Sequence, residues 1–420
     1  MSINIQILII TIILLLGETV ALWFLNAKMV IPEERLTAAN WVLHFSLLTF
    51  AINLISVPYN ACLIAHERMS VFAYIGILEV VIKLAIVYLL TISPIDTLVF
   101  YSALLFGTAM LMQLIYYVYC RRYFIECEYK FIKDKAAFSE LLNFATWNFI
   151  GSTSSILRSQ GVNILLNLSF GPVVNAARAI SMQVNNAINA FVNNFMTALT
   201  PQITKAYAQK NNEYLLNCIY KGSKFSYFLL YFLSLPVFVE TEFILKIWLV
   251  EVPETTVWFV RYILLFSLSD TYSRTLINAN NATGDIKIYQ IVIGSLNLTV
   301  LPIVYLLLKI GGSAESTVLV SVIVSLVGIF PRLYFNMKHI PVTYYEFVMK
   351  VIVPTLVVSI SGFILPYLLH VFITQSFVSF LIITAISLLS AAMSIWFLGC
   401  TREEKSFVVF FIKNKIKKNE

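Results

Sequence analysis

Of the 420 residues, 59% are hydrophobic and only 12% charged, and the mean hydropathy is +0.83. A soluble domain carries about 25% charge, so too few charged side chains remain to cover a water-facing surface, and the implied solvent is lipid. The formal net charge of +7 is therefore read by its placement in the chain, and no nucleic-acid partner is expected.

Crossing the hydrocarbon core takes about 20 apolar residues, and twelve runs qualify. In chain order they are A 4–26, B 40–63, C 71–93, D 97–120, E 139–168, F 173–200, G 225–249, H 256–279, I 288–308, J 316–336, K 351–370 and L 377–399. Only helices and closed barrels satisfy their own backbone in lipid. These runs are too long and too little alternating for barrel strands. The fold class is an all-α polytopic membrane protein of about twelve transmembrane helices.

The connections set the orientation. Twenty Lys and Arg fall on one side, among them Arg68, Arg121, Arg122, Lys224, Lys287, Arg332 and the tail from Arg402. The other side holds three, Lys28, Arg35 and Lys309. The richer side is assigned to the cytoplasm, with both termini inside and the protein in the inner membrane. Cys62, Cys120, Cys127, Cys218 and Cys400 fall near that side, where thiols stay reduced. Trp23, Trp41, Trp248 and Trp258 flank loops of the other as an aromatic belt. No cysteine forms a CxxC pair or stands at ligand spacing from the singly scattered His44, His66, His339 and His370, so no metal site is expected. Run A opens Met1-Ser2-Ile3-Asn4 without a positive n-region, so a secretory signal is not expected.

Ala65-His66-Glu67-Arg68 through Ile86-Val87-Tyr88-Leu89-Leu90 aligns without gaps on Ala282 through Ile303-Val304-Tyr305-Leu306-Leu307, an offset of 217 residues. The offset equates run C with run I, six spans later, and so describes parallel copies in one orientation. Where a copy begins stays open.

Ionisable and amide side chains deep in spans mark the candidate site. Run F carries Arg178, Asn185, Asn189 and Asn193 at near-helical spacing, joined by Ser181, Asn186 and Thr197. One polar face along a spanning helix suggests a wet passage; interhelical hydrogen bonding is the other reading. Run E carries Asn148, Ser152, Ser155 and Arg158, and its length lets Arg158 snorkel to the outer interface. Arg158 and Arg178 together would form a cationic patch suited to bidentate phosphate binding. Glu79 and Lys83 in run C, and Asp270 and Arg274 in run H, stand four apart in the favourable order. These pairs are structural or ion-coupling, and Glu18 is a lone carboxylate that could also couple. Pro58, Pro236, Pro302, Pro354 and Pro366 lie inside spans and can kink them.

No phosphate loop, H-E-x-x-H or G-x-S-x-G occurs, and no insert is large enough for a catalytic domain. An enzyme is not expected. The tail from Arg402, with Phe407, Phe410 and Phe411, reads as a basic surface-lying helix.

The segments Asn143-Phe144-Ala145-Thr146-Trp147-Asn148-Phe149-Ile150-Gly151, Phe170-Gly171-Pro172, Asn175-Ala176-Ala177-Arg178-Ala179-Ile180 and Pro201-Gln202-Ile203-Thr204-Lys205 resemble bacterial polysaccharide flippases. These belong to the multidrug, oligosaccharidyl-lipid and polysaccharide exporter superfamily, and the likeness covers essentially the whole chain. It is nearest to O-antigen and capsule flippases. The resemblance implies two six-helix lobes around a cationic cavity, often with two further helices, in a fourteen-helix pattern. It implies alternating-access flipping of undecaprenyl-pyrophosphate-linked oligosaccharide, with no cofactor and with H+ or Na+ as coupling ion. Implied partners are the lipid-linked substrate, membrane lipids, and the polysaccharide polymerase and glycosyltransferases of the same pathway. A related flippase of the peptidoglycan precursor has an arginine early in its equivalent of run F, and Arg178 stands in a similar place, the following proline one turn out of register. The chain departs from the pattern by beginning at the equivalent of the third helix. The expected organisation is thus an incomplete four-helix N-lobe (1–120), a cytoplasmic linker (121–138), a six-helix C-lobe (139–337), an extra helix pair (338–400) and a basic tail (401–420). Two alternatives to the sugar flippase stand: a cation-coupled multidrug exporter of the same fold, and a truncated remnant that transports nothing.

Overall fold

The structure is a computed structural model and describes residues 10–11, 13–27, 33–93, 96–127, 135–249 and 251–406. The chain divides into two compact units, Met1–Ser139 and Glu140–Glu420. Among the described residues there is no strand. Among the same residues eight helical spans are long and apolar enough to cross a membrane by length and composition, which makes this a multi-pass membrane protein.

In unit 1 a wide turn, Gly17–Ala21, leads into α1 (Leu22–Ala27), followed by α2 (Glu33–Ala65), α3 (Met69–Leu89) and α4 (Thr97–Tyr123). The most extensive packing is α2 along α4, around buried Tyr59, Leu63, Met112, Tyr116 and Cys120. Asp96 caps α4, its Oδ1 accepting from the Leu98 N–H at 2.9 Å, which answers an otherwise unpaired first-turn donor. α2 stops because Glu67 turns left-handed at φ 56°. The Arg68 N–H then reaches back to the Leu63 carbonyl and the Glu67 N–H to that of Ile64, the paired bonds of a Schellman end.

Unit 2 begins with two long helices, α5 (Lys135–Phe170, its first turns in the closing residues of unit 1) and α6 (Pro172–Ala208). Gly171 at φ 81° and Pro172 separate them. Next come α7 (Asn212–Val239), α8 (Thr241–Trp248), α9 (Thr256–Thr283), α10 (Lys287–Leu298), α11 (Val300–Lys309), α12 (Ser316–Val327) and α13 (Ile329–Met337). A short α14 (Tyr344–Phe347) precedes α15 (Val353–Phe372) and α16 (Phe377–Ser394). α9 is the hub, packing on α6, α7, α12 and α13.

Runs B to L all fall on helices, and run A does so from Ile13 onward. Two runs are interrupted where proline withdraws a donor. Pro302 cannot donate to the Leu298 carbonyl, and regular helix breaks at Thr299; Pro331 does the same to Val327, and the break is at Gly328. Pro58, Pro236 and Pro366 sit inside unbroken helices, and Pro354 in the first turn of α15. The 217-residue offset reappears in the backbone. Glu67 maps to Gly284, and both are left-handed, at φ 56° and 76°. Met69 at the start of α3 maps one residue from Lys287 at the start of α10.

Several charged groups differ from their sequence reading. Lys224, counted with the cytoplasmic connections, is buried in α7 and paired at 2.7 Å with Glu404, also buried. The tail is therefore anchored as far as Glu404, and Phe407 onward lies outside the described residues. The histidines are scattered along the chain, but none stands without a partner. Each faces a carboxylate: Glu18 for His44, Glu126 for His66, Asp285 for His339 and Glu240 for His370. Glu18 is thus not a lone carboxylate, since His44 Nδ1 stands 2.9 Å from its Oε1.

Candidate functional site

The site is built inside unit 2 from four helices. Successive turns of α5 present Ser155, Arg158, Ser159 and Val162, and α6 presents Arg178, Met182 and Asn185. The spacing of three and four puts each set on one helix face. Ile263 and Phe266 of α9, with Thr317, Val318 and Ser321 of α12, close a cavity of about 220 Å³. Among the described residues no carboxylate lines it.

Arg178 is 8% exposed. Its Nε and Nη1 are buried with no hydrogen-bond partner among the described residues. A charged group left unpaired out of water costs several kcal/mol, so the position is expensive unless something else occupies the cavity. Arg158 is better held: Nη1 donates to Asn297 Oδ1 at 3.2 Å, and the guanidinium lies 5.2 Å from the Phe266 ring centre. It does not snorkel outward; it turns into the same cavity wall as Arg178.

The rest of the α6 stripe does something different. Asn189 Nδ2 donates to the Asn185 carbonyl and Oδ1 and to Ser267 Oγ, while Ser267 donates to Asn185 Oδ1 at 2.6 Å. Arg274 Nη2 donates to Asn189 Oδ1 at 2.7 Å, and its Nη1 to Asn193 Oδ1. These bonds join α6 to α9. The stripe is therefore cavity at its Arg178 end and interhelical glue toward Asn193, with Asn185 serving both. Asp270 lies 3.6 Å from Arg274 Nε, an ion pair without a hydrogen bond. Amides, not the carboxylate, hold Arg274.

Asn148 does not line this cavity; its Oδ1 accepts from Gln290 Nε2 at 3.2 Å, tying α5 to α10. In unit 1, Lys83 Nζ and Glu79 Oε1 form the expected i,i+4 pair at 2.6 Å, with both side chains exposed. Sequence reasoning missed Phe266, Thr317, Ser321 and Arg332. Thr317 and Ser321 are hydroxyls four apart in an apolar run, a legible signal. Arg332, read as a loop cation, is buried in α13 and within electrostatic reach of Arg158, as is Asp270. Arg178 and Arg332 are both within electrostatic reach of Arg158, while Asp270 pairs with Arg274, so guanidinium outnumbers carboxylate in this part of the described interior.

No protein-family model and no curated protein matches the chain. Among solved structures, the crystal structure of a proline-to-alanine mutant of a MATE protein matches with a TM-score of 0.58, covering 80% of this chain and 78% of that one at 14% identity. The chain therefore has the polytopic helical fold of that MATE protein, and the likeness fixes the fold alone.

Proposed function

We propose that this protein is a transporter, not an enzyme, and that it flips an undecaprenyl-pyrophosphate-linked oligosaccharide across the inner membrane by alternating access. One observation carries the reading. Arg178 is a buried, half-unpartnered guanidinium on a cavity wall shared with Arg158 and free of carboxylates among the described residues. Such a wall suits an anion. A diphosphate offers oxygens to both planar forks, and charge-assisted bonds in a low-dielectric site are the strong kind. At about 220 Å³ the cavity is smaller than the roughly 300–1,000 Å³ of a typical ligand pocket. It accommodates the headgroup, with sugars and polyprenyl chain outside it. Ser155, Ser159, Thr317 and Ser321 supply neutral donors around the phosphates.

The test is charge reversal in cells that depend on this protein for surface polysaccharide. With expression unchanged, Arg178→Glu should abolish the polysaccharide and Arg158→Glu should reduce it at least tenfold. Normal polysaccharide in Arg178→Glu would remove the headgroup role.

The cation-coupled drug exporter has one observation in its favour. Asp270 is bound to Arg274 by no hydrogen bond and is available to a proton or Na+. Its site is nevertheless outweighed by guanidinium. A deletion strain with raised drug sensitivity and intact polysaccharide would favour that reading.

A further inference from the structure

A second cluster of chemistry lies in unit 1, far in character from the arginine cavity. Cys62, in the last turn of α2, and His66, one turn on, both face the short 3-10 turn Ile125–Cys127 that follows α4. Cys62 Sγ, a His66 ring nitrogen and a Glu126 carboxylate oxygen all lie within 4.8 Å of one another. Cys127 ends the same turn, next to Glu126 and within electrostatic reach of Cys62. The His66 ring is fixed by stacking on Phe124, with centroids 4.3 Å apart and planes at 14°. In that position its Nε2 stands 3.7 Å from Glu126.

Separately, each feature has an ordinary explanation: buried cysteine packs as a small hydrophobe, and exposed carboxylates pair with histidine. Together Cys62, His66 and Glu126 supply three donors of the types Zn2+ prefers, from two segments, around one point, and Cys127 stands beside them as a candidate fourth. We propose that Cys62, His66, Glu126 and Cys127 form a zinc site that clamps the end of α2 to the end of α4. Tetrahedral bonds of about 2.0–2.3 Å require donors to close in by about 1 Å, and the two longest side chains, His66 and Glu126, are the exposed ones. Cys120, fully buried and donating to the Tyr59 carbonyl at 3.6 Å, stands behind as a hydrogen-bonded support and not as a ligand. Spacing along the chain hides the site, because about sixty residues separate its two halves. Cys62 and His66 make a four-residue step on a helix end, and the partners arrive only through the packing of α2 on α4. The end concerned carries Arg68, Arg121 and Arg122, which the distribution of basic residues assigns to the cytoplasm, where thiols remain reduced. Zn2+ binding only the folded form would stabilise this unit by mass action. The proposal does not depend on the transported substrate.

The test uses the full chain, purified in detergent under reducing conditions and titrated with Co2+ and then Zn2+. One equivalent of Co2+ should give a thiolate-to-cobalt charge-transfer band, displaced by one equivalent of Zn2+. Replacing a ligand should weaken Zn2+ binding by more than the roughly 10–100-fold that outer contacts are worth, so Cys62→Ser and Cys127→Ser should each lose about 100-fold or more. Cys218→Ser and Cys400→Ser, outside the cluster, should bind as the unaltered protein does. Absence of the band in the unaltered, fully reduced protein would overturn the site without reliance on any variant. Its persistence in the Cys62→Ser, Cys127→Ser double variant would overturn it equally.

Discussion

Arg178 separates function from stability at the level of a single residue. A guanidinium with two buried, unpartnered nitrogens lowers the stability of the fold that holds it. Arg178→Met keeps a long flexible side chain and removes the charge. We expect it to raise stability by about 1–3 kcal/mol, read as a higher unfolding midpoint in detergent, while transport is lost. A destabilised Arg178→Met would mean that the charge has a partner. Asn189 should behave in the opposite way. It ties Arg274, Ser267 and Asn185 into one network, so Asn189→Ala leaves buried donors unmet and should cost about 2–4 kcal/mol in the same measurement. The sequence showed both residues as members of one stripe. It could not show which had partners, because Ser267 and Arg274 lie about eighty residues away.

Of the four helices that build the site, α5, α6 and α9 are not among the eight spans that apolarity and length alone pick out among the described residues. Asn, Ser, Thr and Arg lower their hydropathy, and these are the side chains that line the cavity or join α6 to α9. The helices are legible in the sequence as long runs; their interruptions at Thr299 and Gly328 are legible only through the proline three residues on. Ion pairs four residues apart, such as Glu79 with Lys83, could be read directly. Those between helices, such as Glu18 with His44, could not. The same holds for Lys224 in α7, which meets Glu404 after 180 residues. Both side chains are nearly inaccessible, at 5% and 6%, so removing one strands the other. Lys224→Met should cost about 3–5 kcal/mol, and Lys224→Met with Glu404→Leu should recover most of it. A single variant as stable as the original protein would show that the pair is solvated. Close packing of the C-terminal helices gives a further check. A β-carbon on Gly399 would stand 2.5 Å from the Phe228 ring and 2.9 Å from Val358, so Gly399→Val should cost about 1–3 kcal/mol through overpacking.

For the molecule as a whole, we propose that a polytopic helical fold like that of a MATE protein has been given an anion-binding interior. The fold rests on the polytopic helical architecture and its likeness to a MATE structure. The proposed selectivity rests on Arg158 and Arg178, on a cavity wall that carries no carboxylate among the described residues. The most direct measurement is the affinity of purified protein for undecaprenyl pyrophosphate, compared with uncharged undecaprenol, in the unaltered protein and in Arg178→Met. The account predicts that the unaltered protein prefers the pyrophosphate at least tenfold and that Arg178→Met, though folded and no less stable, loses that preference. Equal affinity for the two lipids in the unaltered protein would contradict it.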